Sequence, residues 1–109
     1  MRTLKFIVND QKLTPDPKCD FEDLVPGTEG YLQAEFIFSK EWDGCAKVAG
    51  FYNTTSGKEY PPQPLTAENT CMIPAEATAK RTFAIQLLGV RKDFKITTNK
   101  TYVCQTGGV

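Results

Sequence analysis

Apolar and polar residues alternate along most of this chain with the two-residue period of strands that bury one face. The first such run is Thr3 to Asn9, where Leu4, Phe6 and Val8 line one side. Asn9 to Lys12 reads as a turn that lets Leu13 return to the sheet, and the prolines of Thr14-Pro15-Asp16-Pro17 bar that stretch from a central strand. The strongest alternation runs from Tyr31 to Ser39, with Leu32, Ala34, Phe36 and Phe38 facing in and Gln33 and Glu35 facing out. It breaks at Ser39-Lys40-Glu41, passes the only tryptophan, Trp42, and turns at Asp43-Gly44, where glycine tolerates a positive φ. Ala46 to Tyr52 then reads as the partner strand, so the segment from Phe36 to Phe51 is expected to form a hairpin-like unit with an aromatic ring at its bend.

Downstream, Lys58-Glu59-Tyr60 is expected as a short edge strand stopped by Pro61, Pro62 and Pro64, and Thr70 to Ile73 as another short strand. Arg81 to Leu88 places Phe83, Ile85 and Leu87 on one face, Gly89 to Asp93 reads as a turn, and Phe94 to Thr98 and Thr101 to Gln105 follow as strands. Helix signals are few. Pro74-Ala75-Glu76-Ala77 predicts a single turn, and Asp20 is a fair N-cap for another ending near Leu24. Phe21, Leu24 and Val25 are expected to anchor the irregular acidic segment that precedes Gly30. About seven or eight short strands, at most one or two helical turns and proline- and glycine-marked bends predict an all-β antiparallel β-sandwich of immunoglobulin-like type. One domain is expected over residues 1–105, with residues 106–109 a flexible end.

Composition then removes whole classes of function. Thirteen basic residues balance thirteen acidic ones, and the only adjacent basic pairs are Lys80-Arg81 and Arg91-Lys92, so no field recruits nucleic acid or anionic membrane. There is no histidine, which removes the commonest general base and metal ligand together. The hydroxyls and thiols therefore lack their usual activator, and no Gly-x-Ser-x-Gly or phosphate-cradling glycine loop is present. Acidic pairs such as Asp16 with Asp20 or Glu41 with Asp43 read as solvated loop charge. No catalytic residue, cofactor or metal is expected. The N-terminus lacks the apolar run of a signal peptide or membrane span, so synthesis in the cytoplasm is expected and Cys19, Cys45, Cys71 and Cys104 read as reduced thiols. Tyr102-Val103-Cys104 imitates an antibody-domain motif, but too few residues follow it for the strand that motif requires.

What is left is contact. Tyr31 and Ile37, on the nominally outer face of the best strand, together with Tyr52 and Tyr60, are the candidate interface residues. Trp42 has two readings, a structural anchor beneath the bend or a hot spot for a protein partner; the anchor is preferred.

Several of these stretches resemble a family of small β-sandwich modules in tail, baseplate and fibre proteins of bacteriophages that infect Gram-positive bacteria. The residues that carry it are Ala34-Glu35-Phe36-Ile37-Phe38-Ser39-Lys40-Glu41-Trp42-Asp43-Gly44 and Lys47-Val48-Ala49-Gly50-Phe51. Asn69 to Glu76 resembles the family's Cys-x-Ile-Pro-x-Glu stretch, and Phe83 to Gly89 with Ile96 to Lys100 resembles its closing strands. The resemblance spans Tyr31 to Gln105 and implies a virion structural or assembly part of tail, baseplate, fibre or head. It would be held by contacts with other virion proteins or copies of itself, as a possible symmetric homo-oligomer. The sequence stops at Val109 where longer fibre chains continue into a coiled coil or receptor-binding head, so an adaptor, a decoration protein of head or tail, or a module expressed apart from its chain is expected. The alternative is a host-surface or carbohydrate-binding immunoglobulin-like adhesion module.

Overall fold

A computed structural model describes residues 1–106; of the flexible end expected at 106–109, residues 107–109 lie outside the described residues. The elements in chain order are β1 (Arg2–Asn9), β2 (Lys12–Pro15), β3 (Leu32–Phe38), a 3₁₀ turn (Lys40–Trp42), β4 (Ala46–Asn53) and β5 (Gln63–Pro64). They continue with β6 (Thr70–Met72), a helical turn α1 (Ala75–Thr78), β7 (Thr82–Arg91), β8 (Phe94–Thr97) and β9 (Thr101–Cys104). The strands form two sheets, one ordered β2-β1-β3-β6 and the other β5-β4-β7, with β8 and β9 both paired to the far side of β7. The all-β sandwich is therefore present. It departs from a wholly antiparallel one where β1 and β3 run parallel, because the segment from Asp16 to Tyr31 carries the chain back along the sheet before β3 begins.

The core is made by the alternation. Leu4, Phe6 and Val8 of β1 and Leu32, Ala34 and Phe36 of β3 are buried against Ala49 and Phe51 of β4 and Phe83, Ile85 and Leu87 of β7. An aromatic series runs through it, with centroid separations of 5.5 Å from Phe21 to Phe6, 5.4 Å from Phe6 to Phe36, 6.1 Å from Phe36 to Phe38 and 5.0 Å from Phe38 to Trp42. Burying residues of this size contributes roughly 1.5–3 kcal/mol each.

Four local expectations change. First, β3 and β4 do not pair: they belong to different sheets, and the Trp42 bend is a crossing from one sheet to the other rather than a hairpin. Trp42 is fully buried there, and its Nε1 donates to the Asp10 carbonyl at 2.8 Å, which ties the crossing to the β1–β2 turn. Second, β7 does not stop at Leu88 but runs through Gly89 to Arg91, with the turn at Lys92-Asp93. Gly89 sits in the strand because a Cβ there would stand 2.7 Å from Cε3 and Cζ3 of Trp42; close approach, not a bend, selects glycine. Third, Lys58 to Tyr60 forms only an isolated bridge between Glu59 and Tyr52, and the edge strand is Gln63–Pro64 instead. Fourth, Asp20 to Leu24 forms turns and no helix. Backbone carbonyls of Asp20, Glu22 and Asp23 are drawn outward to accept hydrogen bonds from the Arg2 guanidinium, and Leu24 is buried while Val25 is 47% exposed.

Side chains join the sheets along one side. The hydrogen-bond register between β7 and the β8–β9 edge slips by one residue between Leu88↔Thr97 and Ile85↔Thr101, a β-bulge that turns Asn99 toward the other sheet. Asn99 Oδ1 accepts from the Leu13 amide at 2.7 Å and its Nδ2 donates to the Leu13 carbonyl at 3.2 Å, so one side chain fills both backbone positions of a missing strand neighbour.

Candidate interaction surface

Concave polar sites hold little reactive machinery. A hollow of about 490 Å³ is lined by Cys19, Asp20, Phe21, Glu22, Asp23 and Thr106. Cys19 Sγ accepts a hydrogen bond from the Lys5 amide at 3.3 Å, and the loop's carbonyls hold Arg2 as described, so these groups serve the loop itself. Among the described residues no cluster of three or more cysteines and carboxylates is placed to hold a metal ion, and no helix is long and apolar enough to cross a membrane. The four cysteines form no disulfide: Cys45 and Cys71 are buried, Cys19 is half-buried and Cys104 is exposed. Burial pushes the Cys71 thiol up from 9.0 to about 12, which makes it a poor nucleophile at neutral pH.

The outward faces of the sheets differ. On the β2-β1-β3-β6 sheet the outer positions of β1 and β3 pair Thr3 with Gln33 and Lys5 with Glu35, and only Ile7 with Ile37 is apolar. Gln33 Nε2 donates to Thr3 Oγ1, as expected of a wet surface. On the other sheet the register aligns Val48 of β4 with Leu88 of β7 and Thr97 of β8, and aligns Tyr52 of β4 with Ala84 of β7 and Tyr102 of β9. Gly50 faces Gln86 between these two rows, and Val90 at the end of β7 is 46% exposed. A shallow groove of about 320 Å³ runs across this face, bounded by Tyr52 and Glu59 at one side and Lys95 and Thr97 at the other.

Tyr52 is held flat on the sheet. Its ring lies over Gly50, where a Cβ would stand 2.8 Å from the phenol oxygen, and Lys100 Nζ sits 4.1 Å above the ring centroid in a cation–π contact. Burial raises the phenol pKa above 10.0, and the Glu59 carboxylate adds to this by its charge and by hydrogen bonding.

The four residues singled out from the sequence do not converge. Tyr31 is 47% and Ile37 52% exposed, at opposite ends of β3 on one sheet; Tyr52 lies on the other sheet. Tyr60 is corrected: it is a core residue, 8% exposed, with its hydroxyl accepting from Asn53 Nδ2, because the prolines that follow bend the chain back over β4. Trp42 offers no surface, being fully buried. Sequence reasoning missed Tyr102, at 61% the most exposed aromatic side chain among the described residues, and the Leu88–Val90 end of β7. The signal was present in the continued alternation Ala84, Gln86, Leu88, Val90, which Gly89 obscured by resembling a turn. Comparison with protein-family models, with curated proteins and with solved structures finds no match to this chain.

Proposed function

We propose that this chain is a structural and assembly module of a bacteriophage particle, in the tail, baseplate, fibre or head decoration, and that it works through protein–protein contacts without catalysis. The observation that carries the contact part of this reading is where the exposed apolar groups lie. Ile37, Val90 and Tyr102 stand on flat sheet faces and edges, and the thiol in the 490 Å³ hollow, Cys19, accepts a hydrogen bond from the Lys5 amide. The particle part rests on the resemblance, which is carried by two elements together: Glu41-Trp42-Asp43-Gly44, where the chain crosses between the sheets, and Ile73-Pro74-Ala75-Glu76 downstream. Partners on this reading are other virion proteins or further copies of the chain, assembled in the bacterial cytoplasm and retained in the virion.

The adhesion alternative is less well supported. A sugar-binding site uses an open aromatic face at a groove, and the aromatic that borders the groove here, Tyr52, already carries Lys100 on its ring. Quantitative mass spectrometry of density-purified particles tests the proposal. The chain is expected at a fixed copy number relative to the major structural proteins, and particles that lack it would overturn the reading.

A further inference from the structure

We propose that the outer edge of β9 pairs with β9 of a second copy, antiparallel about a two-fold axis, so that two β5-β4-β7 sheets continue into one. This deepens the reading above by naming one partner, and rests on it only for the idea that the chain acts by contact. The two fail separately, since particle composition tests one and solution mass the other.

The hydrogen-bond parity of the sheet fixes which groups of β9 face outward. The Gln105 amide donates to the Arg81 carbonyl, which makes Arg81 with Gln105 a hydrogen-bonded pair of the antiparallel ladder. Alternation then gives Val103 with Phe83, and Thr101 with Ile85, the same status. The amides and carbonyls of Tyr102 and Cys104 consequently point away from β7. Among the described residues none of these groups has a partner, and both side chains are exposed.

Each of the other edges is obstructed at one or more positions. β5 is Gln63–Pro64, preceded by Pro61 and Pro62. β2 ends in Pro15 and has both Leu13 groups filled by Asn99. At β6 the Thr66 amide donates to the Thr70 carbonyl, and beside β8 the Gln11 side-chain Nε2 donates to the Thr97 carbonyl. Prolines, covering loops and charges are the usual means of keeping a sheet edge from pairing. β9 carries neither the first nor the last of these: Thr101-Tyr102-Val103-Cys104-Gln105-Thr106 has no proline and no charge, and its first four residues are largely β-branched or aromatic. β2 of the other sheet comes near it and the Cys19–Asp23 loop lines a hollow with Thr106, but neither bonds to the outward groups of Tyr102 and Cys104.

The same features select a second copy as the occupant. An antiparallel pair is two-fold symmetric, so identical edges match without further design. With Val103 on the axis, Tyr102 lies opposite Cys104 of the second copy, and all four outward groups of each strand find partners. In this register the uncharged run pairs with itself, so no like charges meet across the seam. The exposed Tyr102 ring then packs beside Cys104 of the second copy on a face already continuous with Tyr52 and Ala84.

Sedimentation equilibrium across the micromolar range tests this, with the full chain expected to reach twice the monomer mass. Cys104→Pro removes an amide that β7 does not use and is expected to weaken dimerisation at least tenfold while leaving the melting curve in place. Tyr102→Lys, which adds an edge charge, serves the same purpose should the proline disturb folding. In Tyr102→Cys, mild oxidation is expected to give a covalent dimer linked between positions 102 and 104, since directly opposed residues lie within disulfide reach. A wild-type chain that stays monomeric, a dimer that survives both edge substitutions, or an assembly that grows without stopping at two would overturn the proposal.

Discussion

At the scale of single residues, two positions carry consequences beyond their own volume. Gly89 is where β7 passes under the Trp42 indole, and a methyl group there meets ring carbons of the core rather than a flexible tip. Gly89→Ala is expected to cost about 1–3 kcal/mol by overpacking, readable as a lower denaturation midpoint at unchanged slope. Cys71 supplies a pH dependence with a definite sign. Because burial lifts its folded-state pKa to about 12, the native chain keeps a proton that the unfolded chain releases above 9.0. Its contribution is complete below pH 9 and is lost as pH rises toward 12, at up to about 1.4 kcal/mol per pH unit. Tyr52, also raised, acts in the same direction above 10.0. Cys71→Ala is expected to flatten the alkaline fall in urea-unfolding free energy, and an unchanged slope would show that other groups set it.

At the scale of elements, the hinge of the design is the bulge between β8 and β9. It places Thr98 so that its hydroxyl accepts from the Leu87 amide, and it frees Asn99 to serve β2. Asn99→Ala leaves the Leu13 amide and carbonyl unmatched at a partly buried position, for an expected loss of about 1–3 kcal/mol. Hydrogen exchange should then show the Leu13 amide losing protection selectively, while the Ala84 and Gln86 amides of β7 stay slow. The strands themselves were legible in advance because period-two alternation is a local property. Their limits were less so. Gly89 carries the same letter whether it bends a chain or admits an indole, and Lys58 to Tyr60 satisfies strand propensity yet has only one bridge available to it.

At the scale of the whole molecule, the sheets share one core and are tied by Trp42 and Asn99, so they are expected to unfold as one unit. Trp42 lies where the chain crosses between the sheets, so its fluorescence and the far-UV circular dichroism should give superimposable denaturation curves. Separate midpoints would mean that one sheet opens alone. The surface was harder to read than the core. Tyr60 and Tyr52 occupy similar sequence settings, but the bend imposed by Pro61 and Pro62 buries the first and leaves the second on the groove. Tyr102 was visible only as part of a misleading cysteine motif, and its exposure depends on β9 being an edge.

The alternation of apolar side chains was enough to establish an all-β body, since it is a property of neighbours in the chain. Which strands became neighbours in space was decided by the folded structure. The parallel β1–β3 pair, the crossing at Trp42 and the open flank of β9 all depend on contacts between segments far apart in sequence. No local period encodes those contacts, because a strand's residues set its buried face but not the strand lying beside it.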